Sequence, residues 1–153
     1  MELNTINDGT NRPQKTVLFA EDEEMVRSVF SLSLSRMGVT VLQAKDGVEA
    51  VEKLRLHSID MAILDCRMPR LDGYGVFEEI QRLNLDVPVV MISGDDECTV
   101  LDRFDLVRPH GVLIKPVSLP TLRETVSALM NDREKAVASD SKTLADRKES
   151  IQI

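Results

Sequence analysis

Short apolar runs alternate along the chain with longer stretches in which apolar residues recur at helical spacing. Thr16–Ala20 (TVLFA) is a run of strand-favouring residues that stops at the acidic cluster Glu21–Glu24. Carboxylates there complement the positive end of a helix dipole, so a helix is predicted to start at that point. Met25, Val29, Leu32 and Met37 fall on its period, and Gly38 follows as a C-terminal stop. Val39–Ala44 reads as the next strand, and Asp46-Gly47 opens a helix carrying Val48, Val51 and Leu54. Met61–Leu64 is a third strand, ending in Asp65. A loop with Met68-Pro69 follows, and Asp72 is placed to cap a helix with Val76, Phe77 and Ile80. Val87–Ile92 predicts strand four, followed by a polar helix with Val100, Leu101 and Phe104. Gly111–Ile114 predicts strand five, ending at Lys115-Pro116. Ser118 then caps a last helix, with Leu122, Val126 and Leu129 on one face.

Strands alternating with helices predict an α/β fold with a single doubly wound parallel sheet and helices on both faces. The strands are nearly continuous in apolar residues, as expected where both faces of a sheet are covered. The reading divides the chain into a polar arm (1–15), one domain (16–133) and a segment (134–153) expected as a helical extension or disordered tail. In that last segment Val137, Leu144 and Ile151 recur every seven residues, but the partner positions are polar or charged. With about 20 residues after the last helix, no DNA-binding output domain is expected.

Composition narrows the function classes. With 42% apolar and 29% charged residues the chain is expected to be a soluble globular protein. A net charge of −7 argues against a general nucleic-acid surface, which needs clustered Lys and Arg. Cys66 and Cys98 lack paired metal-ligand spacing and read as reduced thiols. The polar N-terminus has no signal-peptide core, and no apolar run nears the roughly 20 residues of a membrane span. The expected location is the cytoplasm.

The chemistry gathers at the strand ends. Glu21 and Asp22 follow strand one, Asp65 strand three, Ser93 strand four and Lys115 strand five. Ligands of open α/β sheets bind outside the carboxyl ends of the strands, where strand order reverses. In a flavodoxin-like order, 2-1-3-4-5, the three carboxylates meet between strands one and three. Two carboxylates about 4 Å apart repel by roughly 4 kcal/mol at an effective dielectric near 20, so a cation or a proton is required. Few hard oxygen ligands with room for water suit Mg²⁺. With Lys115 and the Ser93 hydroxyl beside it, such a site suits phosphoryl transfer: Asp65 as nucleophile, Lys115 as charge partner, Ser93 as donor to a phosphoryl oxygen. Taken singly, each residue also has a plain structural reading as dipole partner, turn residue or surface charge.

The motifs VLFAEDEE, ILDCRMPRLDGYG, PVVMISG and VLIKPVS, in that order, resemble the receiver domains of response regulators from about Thr16 to Met130. The resemblance implies that Asp65 is the phosphoacceptor and that Asp22 and Asp65 hold Mg²⁺ directly. Glu21 would reach the metal through water, and Arg67 would offer its backbone carbonyl. Ser93 matches the switch hydroxyl and Lys115 the family lysine. A histidine kinase or histidine phosphotransfer protein is the implied donor, and output is expected through a partner protein. In place of the Tyr or Phe that many receivers carry three residues before the lysine stands Val112. Aromatic content is 3%, and no nearby ring obviously replaces it.

A receiver is expected to catalyse only its own phosphorylation and dephosphorylation. The alternatives are a degenerate receiver acting as a phosphorylation-independent scaffold, and a metal-dependent phosphatase with an aspartyl nucleophile. Haloacid-dehalogenase-like phosphatases need a second Asp two positions on, where this chain has Arg67. Cys66 reads as a small buried hydrophobe, and His57 and His110 have no paired ligands. Neither GxxxxGK[ST] nor GxSxG occurs.

Overall fold

A computed structural model of the chain describes residues 13–149, with side chains as far as residue 139. Five parallel strands form one sheet: β1 (Thr16–Ala20), β2 (Thr40–Ala44), β3 (Met61–Asp65), β4 (Val89–Ser93) and β5 (Gly111–Ile114), in the order β2-β1-β3-β4-β5. This is the doubly wound, flavodoxin-like sheet expected from the pattern. Between them run α1 (Glu24–Ser35), α2 (Gly47–Leu56), α3 (Gly73–Arg82) and α4 (Glu97–Leu101), and α5 (Leu119–Glu149) follows β5. Among the described residues no helix is long and apolar enough to cross a membrane.

Alternation along each strand divides the core in two. Val17 and Phe19 of β1, with Ile63 and Ile92, pack against Leu34 of α1 and Leu122 and Val126 of α5. Leu18 and Ala20, with Leu64 and Met91, face Val51 and Leu54 of α2, Val76, Phe77 and Ile80 of α3, and Val100 of α4. Parallel register brings the carboxyl ends level: Ala20 pairs with Leu64, Asp65 with Ile92, and Ser93 with Ile114.

Side-chain caps fix the starts of α2 to α5, whereas Glu23 at the head of α1 makes no such bond. Asp46 accepts from the Glu49 amide (2.8 Å), Asp72 from Gly75 (2.8 Å) and Asp96 from Thr99 (2.9 Å). Ser118 accepts from the Thr121 amide at 3.2 Å at the head of α5.

Two readings of the pattern are corrected. The face of α1 is not the stripe Met25, Val29 and Leu32, which are 82%, 49% and 56% exposed. The inward stripe lies one residue on, at Val26, Phe30, Ser33, Leu34 and Met37, with Phe30 set against Phe19 at 5.8 Å between ring centroids. Apolar residues fill i, i+4 and i+7 on the outer stripe and i, i+4 and i+8 (Val26, Phe30, Leu34) on the inner one, and the ring and Leu34 decide between them. Strand β4 starts at Val89, after Pro88, and runs through Ser93, so Ser93 belongs to the strand. The chain stays helical past residue 133 to Glu149, with Arg133 joined to Asp86 at 3.2 Å. Ile151 and most of the N-terminal arm lie outside the described residues.

Candidate functional site

Helices α1 and α3, which follow β1 and β3, leave toward opposite faces of the sheet, and the crevice between those strand ends receives the acidic residues. Glu21 and Asp65 are each 2% exposed, whereas Asp22 is exposed. Carboxylate oxygens of all three lie within 4.8 Å of one another. The Lys115 ammonium, projecting from the end of β5, donates to Asp65 Oδ2 at 2.6 Å. The Arg67 amide donates to Asp65 Oδ1 at 3.0 Å. Ser93, 2% exposed, accepts from the Asp95 amide through Oγ at 3.0 Å. The Arg67 side chain is 85% exposed and reaches Asp95 at 3.6 Å. The sheet therefore brings Glu21, Asp22, Asp65, Ser93 and Lys115 to one end, with Arg67 at its rim. The peptide bond from Lys115 to Pro116 is cis.

Burial, reinforced by a hydrogen bond to Asp65 and repulsion from it, pushes the Glu21 carboxyl up to about 8. The Glu23 amide and Lys115 oppose that rise only in part. Burial works against the charge on Lys115, yet its contact with Asp65 and the nearby Glu21 raise its pKa above the usual lysine value. Glu21 thus holds a proton at neutral pH that an unfolded Glu would have lost. Its contribution to stability is full below the unfolded pKa near 4.5 and is lost as pH rises through about 8. Protein stripped of divalent ions is therefore expected to be more stable toward denaturant at pH 5.5 than at pH 8, and Glu21→Gln should flatten that slope. Parallel slopes in the two proteins would contradict the assignment.

An all-oxygen donor set of two buried carboxylates and one exposed carboxylate, one of them protonated when alone, fits a hard divalent cation that keeps part of its water shell. Among the described residues, Glu21, Asp22 and Asp65 are the carboxylates grouped to hold it.

Supporting residues emerge that sequence reasoning passed over. Arg27 donates to the backbone carbonyls of Glu21 (2.8 Å) and Asp22 (3.4 Å), tying the acidic turn to α1. Arg70, in left-handed backbone with φ 67°, clamps buried Asp46 through Nε (2.9 Å) and a terminal guanidinium nitrogen (2.7 Å). That pair fastens the loop after Asp65 to the start of α2. Burial pushes the Cys66 thiol up, as suits a core residue. A ring cluster of Tyr74, Phe77 and Phe104 also gathers beside Cys66, in the core layer against which Val112 packs. The Arg70–Asp46 pair and the contacts of Phe104 join residues distant in sequence, and no local signal announces them.

The chain is similar to known proteins in sequence and fold. The response regulator receiver domain matches residues 17–127. Response regulator RR06 of Streptococcus pneumoniae is 39% identical over 115 residues, covering 74% of this chain and 52% of that protein. The autoinducer 1 sensor kinase/phosphatase LuxN of Vibrio campbellii is 31% identical over 121 residues, 79% of this chain and 14% of that protein. The chain thus spans about half of the regulator and a small part of the kinase. Among solved structures, a CheX–CheY complex with beryllofluoride and magnesium from Borrelia burgdorferi superposes with a TM-score of 0.69 at 26% identity, covering 76% of this chain and 89% of that one. With the sheet order, the acidic crevice and a family match over most of its length, this chain belongs to the response regulator receiver domains.

Proposed function

We propose that the protein takes a phosphoryl group onto Asp65 from a histidine kinase or histidine phosphotransfer protein and signals through a partner. The observation that carries this reading is the meeting of Glu21, Asp22 and Asp65 with the Lys115 ammonium held at 2.6 Å from the acceptor. A carboxylate oxygen of Asp65 attacks phosphorus, the bond from phosphorus to the donor histidine nitrogen breaks, and its electron pair stays on that imidazole. Lys115 offsets charge on the transferred oxygens, and the Ser93 hydroxyl donates to one of them. Mg²⁺, when bound, neutralises negative charge in the crevice; Glu21, Asp22, Asp65 and the Arg67 carbonyl are its proposed ligands. The intact acidic site, with Ser93 and Lys115 in place, favours this over a phosphorylation-independent scaffold.

The exposed residues Met25, Val29 and Leu32 of α1 form an apolar strip that leads away from the acidic turn. A groove where Val29 and Leu32 meet Leu119 and Arg123 of α5 continues it. Such a strip beside a reactive site suits a docking protein, and we assign it to the donor. Leu32→Glu is expected to slow phosphorylation by the cognate donor at least tenfold, while leaving acetyl phosphate, which needs no docking, equally effective. Time courses with both donors test this. Equal slowing with both would place the defect in the site, and no slowing with either would remove the donor from α1.

A further inference from the structure

Arg70 stands five residues after Asp65, on the loop that joins β3 to α3, in left-handed backbone with φ 67°. A residue with a Cβ holds that backbone at a cost and keeps it only where its surroundings impose it. Two contacts impose it here, both against the start of α2. Nε and a terminal nitrogen of the Arg70 guanidinium, at 2.9 and 2.7 Å, converge on Asp46 Oδ2. The Asp46 side chain is 6% exposed, and its other oxygen caps α2 through the Glu49 amide. One residue on, Leu71 packs so closely on Gly47 that a Cβ there would lie 2.0 Å from the Leu71 carbonyl oxygen.

The same loop carries the Arg67 carbonyl, a proposed ligand of the cation. Its base is closed, with the Gly73 amide donating to the Cys66 carbonyl at 3.1 Å and the Arg67 amide to Asp65 Oδ1 at 3.0 Å. Beyond those fixed points, the contacts with α2 decide where the loop lies. A small divalent cation demands ligands close to ideal positions, so the placement of the loop bears on affinity.

We propose that Arg70 and Asp46 are positioning residues for the cation site: their ion pair holds the loop after Asp65 in the conformation that presents the Arg67 carbonyl. Neither is among the proposed ligands. This rests on the receiver reading given above and adds a second part of the molecule, the start of α2, on which cation affinity depends.

The sign of the effect separates positioning from simple electrostatics. Arg70→Gln removes a positive charge, and by Coulomb's law alone a cation should then bind as well or better. Positioning predicts the reverse: Mg²⁺ affinity should fall by about tenfold, the low end of what outer partners of metal ligands contribute. The Arg70 side chain is 57% exposed, so the core is untouched. Arg70→Lys keeps the charge without the fork and should recover part of the loss. Asp46→Asn keeps a cap on α2 and should match Arg70→Gln, with the double variant no worse than either. Arg55→Gln is the control: it removes the same charge from the ion pair with Glu79 and should leave affinity unchanged. Affinities come from titrating the isotope-labelled full chain with MgCl₂ and following the Asp22 and Arg67 amides. Wild-type or tighter binding by Arg70→Gln, a double variant that loses the product of the single losses, or an equal loss in Arg55→Gln overturns the positioning role alone. A wild-type Asp22 amide that ignores MgCl₂ overturns the cation site of the receiver reading, and the positioning role with it.

Discussion

Asp22→Asn should remove half or more of the stabilisation that millimolar Mg²⁺ gives the wild-type protein. The wild-type gain follows from linkage: Mg²⁺ at about a hundred times its dissociation constant adds roughly 2.7 kcal/mol to the folded state. Asp22 is exposed, so its carboxylate supports the metal-free fold little, and the metal-free melting temperature of the variant should stay near the wild-type value. Losing one anionic ligand of three should weaken binding by more than tenfold and slow uptake from acetyl phosphate in proportion. Thermal melts of both proteins with and without MgCl₂ decide the matter. A variant that gains as much from Mg²⁺ as the wild type would remove Asp22 from the metal site.

Gly73→Ala should damage stability and phosphorylation together. A Cβ at this position would lie 2.3 Å from the Asp65 carbonyl oxygen and 3.0 Å from Cys66 Cα. Both are backbone atoms at the end of a central strand, and the Gly73 amide already donates to the Cys66 carbonyl at 3.1 Å. Overpacking of this kind costs about 1–3 kcal/mol, and more where backbone must move. The backbone that moves here carries the acceptor, so uptake should fall at least tenfold. Gly94 is the control, because nothing lies within 4 Å of its Cβ position. Urea unfolding and acetyl phosphate time courses on Gly73→Ala and Gly94→Ala test the pair. Equal behaviour of the two variants would contradict the close approach.

The sheet and the meeting of its polar strand ends were legible in the sequence. Parallel strands buried on both faces are apolar throughout, so Asp65, Ser93 and Lys115 stand out where the apolar runs stop. The caps Asp46, Asp72 and Ser118 were legible for a similar reason, since capping is a contact across three residues. The buried side of α1 was not. Apolar residues occupy two adjacent stripes, and only the tertiary contact of Phe30 with Phe19 selects one. The Arg70–Asp46 clamp spans 24 positions, and the ring cluster joins α3 to Phe104, beyond the end of the short helix α4. Side chains that far apart share no periodicity, so the supports of the site appear only once the sheet has been folded.

Chemical mapping of the phosphorylated residue bears most directly on the central claim. The protein is incubated with acetyl phosphate and Mg²⁺, its intact mass is measured, and the acyl phosphate is reduced with borohydride, which converts a phosphorylated Asp to homoserine. The expected result is one added phosphoryl group, homoserine at position 65 alone, and no uptake by Asp65→Asn. A phosphoryl group found on a Ser or His, or full uptake by Asp65→Asn, would contradict the assignment of Asp65 as the acceptor.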